Sequence, residues 1–124
     1  MTALTADLVG IGLTSQQAKM LGDTQHNTVT ANGNTQGTAT ALTGSINNVT
    51  VVTAANNGVI LPLAASTPYS WIMVRNSDGV GADTLNVWPA VGNEMNALLN
   101  TPVGVVAGAG KVFCKINSTG WVTT

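Results

Sequence analysis

Charge is what this chain has least of. Ionisable Asp, Glu, Lys and Arg make up 7% of its 124 residues, where an ordinary soluble domain carries roughly a quarter. The cations are Lys19, Arg75, Lys111 and Lys115, against Asp7, Asp23, Asp78, Asp83 and Glu94, for a net charge of −1. So few and so scattered cations cannot neutralise a phosphate track, which excludes nucleic-acid binding. Cysteine occurs once, at Cys114, so no internal disulfide and no cysteine zinc site can form; the chain is expected to fold in a reducing cytoplasm. Long hydrophobic runs are missing too. The longest, residues 59–65, contains Pro62 and falls far short of the roughly 20 residues that span a bilayer, so no membrane span is expected. The opening MTALTADLVGIGL has no basic start and carries Asp7 within its apolar part, which predicts no signal peptide.

What replaces the charge is Thr, Asn and Gly, alongside a hydrophobic share of 44%. A surface with so few ions does little to hold neighbouring molecules apart. It implies either permanent burial against other subunits or a tendency to associate, and the filler composition favours subunit contacts.

Residues 49–122 carry short runs of β-branched, aromatic and aliphatic residues punctuated by Gly, Asn, Asp and Pro, the pattern of strands joined by tight turns. Strands are predicted at 49–54, 59–63, 70–76, 84–88, 103–107, 111–117 and 120–123, with a weak edge strand within 36–43. No intervening segment is suited to a crossover helix, so a parallel sheet is not expected. Asn56–Asn57–Gly58, the SDGVGAD stretch and Gly108–Gly110 read as hairpin turns. The fold class is all-β: a small antiparallel β-sandwich or barrel, jelly-roll-like, preceded by an extended N-terminal arm with one short helix. That helix is TSQQAKML, 14–21, where Thr14 and Gln17 have capping-box spacing and Gly22 fits the C′ position. The domain organisation expected is an arm, helix and linker over 1–43 and an antiparallel β domain over 44–124.

The strand at 70–76 is apolar on both faces: Ile72 and Val74 on one, Trp71 and Met73 on the other. A sheet with one wet face would alternate. One face therefore fills the core, and the other meets a second sheet or a second subunit. Cys114 shares a strand face with Val112 and Ile116, and is expected to be a small core residue.

No catalytic constellation emerges. His26 is the single histidine and stands in a polar stretch, without the further ligands a metal site requires and with only Asp23 near enough in sequence to orient it. Asp78 and Asp83 flank a glycine-rich loop but have Val80 and Ala82 where calcium ligands would be needed, so turn formation accounts for them. Nothing in the sequence places Asp83 opposite Glu94 as a glycosidase pair. GAGK at 108–111 differs from a phosphate loop in spacing, in Val112 after the lysine, and in leading into a strand. The N-x-S/T sequons at Asn48 and Asn117 are expected by chance in a chain this rich in Asn and Thr. No cofactor, metal or enzymatic activity is expected.

The runs VTAANNGVILPLA, WIMVRNSDGVGADTLNVWPAVGNEMN and VAGAGKVFCKINSTGW resemble the small β domain of tailed-bacteriophage capsid decoration proteins, also called cement or head-fibre proteins. The resemblance is carried first by Thr53, Ala54, Ala55, Gly58, Val59, Leu61 and Pro62. A second group is Val74, Asn76, Ala82, Leu85, Asn86, Val87, Pro89, Ala90 and Gly92, and a third Gly110, Phe113, Cys114 and Trp121. The leader GIGLTSQQAKMLG is similar to the one preceding that domain. The resemblance implies a homotrimer on the outer capsid surface at local threefold positions, made in the host cytoplasm, with the major capsid protein as partner. On that reading Leu4, Leu8, Val9, Ile11, Leu13, Met20 and Leu21 form a capsid-docking arm, and Trp71 and Met73, with Val87 or Trp88, form the trimer interface. A tail-fibre or vertex appendage with a receptor- or carbohydrate-binding role is the alternative, using Tyr69, Trp88 and Trp121 as its aromatics.

Overall fold

The structure is a computed structural model that describes residues 26–124. Its described part is all-β. Eleven strands occur in the order β1 (His26–Ala31), β2 (Thr40–Ala41), β3 (Ile46–Val52), β4 (Gly58–Ile60), β5 (Trp71–Asn76), β6 (Leu85–Trp88), β7 (Glu94–Met95), β8 (Leu98–Leu99), β9 (Val103–Val105), β10 (Gly110–Asn117) and β11 (Gly120–Val122). They build a seven-stranded sheet, β1-β3-β5-β10-β11-β7-β8, and a four-stranded sheet, β2-β4-β6-β9. The arrangement is sandwich-like, with no closed barrel among the described residues. The expected helix at 14–21 lies outside them.

Pairing departs from the expected antiparallel scheme. Both sheets are mixed: β1·β3, β3·β5, β2·β4, β4·β6 and β7·β11 are parallel, while β5·β10, β10·β11, β6·β9 and β7·β8 are antiparallel. A parallel pair needs a crossover connection, usually a helix. Here the crossover is a strand of the opposite sheet. From β1 to β6 the chain alternates between sheets, so each return to the same sheet runs in the same direction. The turns at 53–57, 77–84 and 106–109 accordingly join one sheet to the other rather than closing hairpins. Asn56 supplies a positive φ of 67°, and Gly58 has another use. A Cβ there would lie 2.6 Å from the Asn86 carbonyl oxygen and 3.0 Å from Trp88 Cδ1, so glycine is what lets β4 lie under the β6 indole.

The expected linker also changes character. Strands β1 and β2 are members of the two sheets, and Ala31 and Leu42 sit in the core at 0% and 4% exposure. The boundary expected at 43/44 therefore does not divide the described part.

Between the sheets the core gathers Val49 and Val52, which flank an irregularity in the β1–β3 register, Ile72 and Val74, Leu85 and Val87, Val105, Phe113 and Trp121. Buried asparagines pin it at the margins. Asn76 is fully enclosed at the end of β5; its Nδ2 donates to Asp83 O (2.8 Å) and Val105 O (2.9 Å), and its Oδ1 accepts from the Asp78 N–H (3.1 Å). One side chain thereby ties β5, the 77–84 loop and β9 of the other sheet. Asn47 Nδ2 donates to Gly44 O (2.9 Å) and Met73 O (3.3 Å), and Asn93 Oδ1 accepts from the Ala64 N–H (3.0 Å). Replacing Asn76 with Ala would strand two carbonyls and an N–H in a dry setting. The loss expected is about 2–4 kcal/mol by chemical denaturation. Asn34→Ala, at an exposed position, serves as the mild reference.

Candidate functional site: the outer face of the large sheet

Alternation along the central strands decides which side chains face outward. On β5, Ile72, Val74 and Asn76 are fully buried, so Trp71, Met73 and Arg75 point away from the core. On β10 the inward residue is Phe113, paired with Ile72, and Val112, Cys114 and Ile116 face out. Two cross-strand rows result. Ile46, Met73 and Val112 are aligned across β3, β5 and β10; Trp71, Cys114 and Val122 are aligned across β5, β10 and β11. Trp71 and Val112 are each 46% exposed, Ile116 58% and Val122 36%. An open groove of about 570 Å³ runs along the β10–β11 side, with Val112, Cys114 and Val122 among its lining residues.

Such a row of apolar side chains on the far side of a sheet from its core is, among the described residues, unpartnered surface, of the kind that marks interaction sites. Covering the exposed half of the Trp71 ring, on the order of 100 Å², would contribute about 2–3 kcal/mol.

Charge touches this face at three places, one of them Lys111 in the lining of the groove. Arg75 is exposed, its Nε donating to Ser77 Oγ (3.1 Å), and Glu94 on β7 is exposed, opposite in facing to the buried Met95.

The expected site residues separate. Trp71 and Met73 stand on this outer face. Val87 does not: it is fully enclosed between the sheets, and a side chain without exposed area makes no contact with another subunit. Trp88 belongs to the four-stranded sheet, half-buried over Gly58, with its Nε1 enclosed and without a hydrogen-bond partner among the described residues. The docking-arm residues Leu4, Leu8, Val9, Ile11, Leu13, Met20 and Leu21 lie outside the described part. Of the aromatics available to a glycan-binding tip, Tyr69 and Trp121 are buried at 8% and 0%, which removes them as exposed platforms.

Cys114 corrects its expected position. It is exposed, because the alternation on β10 runs through Phe113. Val112, Cys114 and Ile116 do share a face, but the outer one. Lys111 and Lys115, on the inner parity, obscure this in the sequence; Lys115 Nζ donates to Thr67 O (3.0 Å) and Lys111 Nζ donates to Thr124 O. Sequence reasoning also passes over Leu98 and Leu99, 58% and 60% exposed on the edge strand β8. Their side chains project from a strand too short to display a period.

Asp78 is a loop organiser: its carboxylate accepts from the Val80 N–H and the Asp83 N–H, each at 3.3 Å. No group of three or more His, Cys, Asp or Glu that could hold a metal occurs among the described residues, and no helix of the described part is long and apolar enough to cross a membrane. No protein-family model, curated protein or solved structure matches the chain.

The two faces of β5 differ in what they stabilise. At dilutions where no self-association is detected, Ile72→Ala is expected to cost about 2–5 kcal/mol and Trp71→Ala about 1 kcal/mol or less. Equal losses in urea titrations would contradict the assigned facing.

Proposed function

We propose that this chain is a non-enzymatic virion protein, a capsid decoration (cement) protein that binds the outer surface of a tailed-phage head as a homotrimer and clamps neighbouring capsomers. The observation that carries the reading is the apolar outer face of the large sheet, with Trp71 and Met73 near its middle and very little charge around it. That face suits permanent burial between subunits. The resemblance of the sequence motifs to those of decoration proteins suggests the viral setting, and the scarcity of charge across the whole chain fits a molecule whose surface is given over to contacts.

The mechanism is multivalent. Three docking arms held by one trimer make the second and third contacts with the major capsid protein effectively intramolecular, so weak individual docking gives firm attachment. Residues 1–22, with Leu4, Leu8, Val9, Ile11, Leu13, Met20 and Leu21, are the docking segment in this scheme. The trimer core is the face bearing Trp71 and Met73.

Two variants separate these roles. Deleting residues 1–22 is expected to leave a trimer that no longer sediments with phage shells; full binding by the deletion would refute the docking role. Met73→Lys places a charge in the proposed interface and is expected to lower the solution mass from trimer to monomer at micromolar concentration. An unchanged mass would remove Met73 from the interface.

A further inference from the structure

The outer face of the large sheet carries opposite charges at opposite corners. Arg75 pairs with Gly110 at the start of β10, whereas Glu94 pairs with Gly120, which pairs with Asn117 at the end of β10. In the sheet order β5-β10-β11-β7, three spacings of about 4.8 Å also separate their strands. The two side chains thus lie diagonally across the apolar rows, at a distance on the order of 25 Å, and cannot meet within one protomer.

We propose that this face is closed by further copies of the same chain, with Arg75 of one protomer against Glu94 of the next and the Trp71–Cys114–Val122 row between them. A threefold axis in front of the face, parallel to it and perpendicular to the Arg75–Glu94 diagonal, brings the arginine corner of one copy to the glutamate corner of its neighbour. The middles of the three faces then converge on that axis. The occupant is identified by charge. Lys111 also lines the groove, but its ammonium is engaged by the Thr124 carbonyl; of the remaining charges a strongly acidic or basic partner would meet one complementary and one opposing group, whereas copies of this chain match both. Nor does net charge oppose it: among residues 27–124, Arg75, Lys111 and Lys115 balance Asp78, Asp83 and Glu94. The contact is heterologous in a ring of three, and each protomer uses both corners. The inference rests on the homotrimer reading for the number of copies.

At the margin of an interface the ion pair adds little affinity, but a like-charge pair there is repulsive and selects against the contact. Charge exchange is therefore the test, read as solution mass by native mass spectrometry and light scattering at low salt. Arg75→Glu and Glu94→Arg should each shift the chain to monomer, and the double exchange should restore the trimer. Both sites are exposed, so melting of the protomer should be unchanged. A second reading uses Cys114, exposed in the protomer: its reaction with a thiol reagent should be at least tenfold slower in the trimer than in either single variant. A trimeric wild type indifferent to both reversals, or a double exchange no better than the singles, overturns the pairing and leaves the trimer reading standing. A monomeric wild type, including one whose Cys114 is protected by another part of its own chain, overturns the self-contact together with that reading.

Discussion

The register of β5 against β10 is the constraint on which the rest of the molecule depends. Ile72 opposite Phe113, both fully buried, sets the facing of the two central strands. A slip by one residue would turn Trp71, Met73 and Arg75 inward and send Ile72, Val74 and Asn76 out. The cost would include a guanidinium in an apolar core and the loss of every bond made by the Asn76 amide. The same register that builds the core therefore also fixes the outer face. Core packing and surface chemistry are two sides of one strand.

Around that pair the chain makes parallel sheets without helices. By stepping from one sheet to the other after each strand from β1 to β6, it replaces the crossover helix with a strand that is itself needed for the opposite wall. Both halves of each step bury apolar residues in one shared core. The buried amides of Asn47, Asn76 and Asn93 sit where the path enters or leaves a sheet, and each bonds a backbone group of a neighbouring turn or loop.

Most strand positions are legible in the sequence because their apolar runs are short and clearly punctuated. Partnering is not. Strand pairing is a long-range property, and a turn such as Asn56–Gly58 looks the same locally whether it closes a hairpin or crosses to another sheet. Strand β1, HNTVTA, is hard to see because its contribution to the core is slight: Ala31 is buried and Val29 only partly. At the candidate site, Trp71 and Met73 are readable from the double apolar pattern of β5. Val87 is misplaced by sequence reasoning because an apolar residue alternating with Asn86 declares burial without declaring by what. Cys114 is misplaced because the two lysines on the inner side of β10 mask the single large residue, Phe113, that decides its facing.

On the proposed reading, a nearly uncharged chain, a two-sheet core and one apolar outer face belong to a protein built for fixed contacts on a phage head. The most direct measurement is the copy number of this protein in purified particles relative to the major capsid protein. The account predicts a ratio near one, or a simple fraction set by the local threefold positions of the shell. Only a few copies per particle would contradict it and move the protein to a tail or a single vertex.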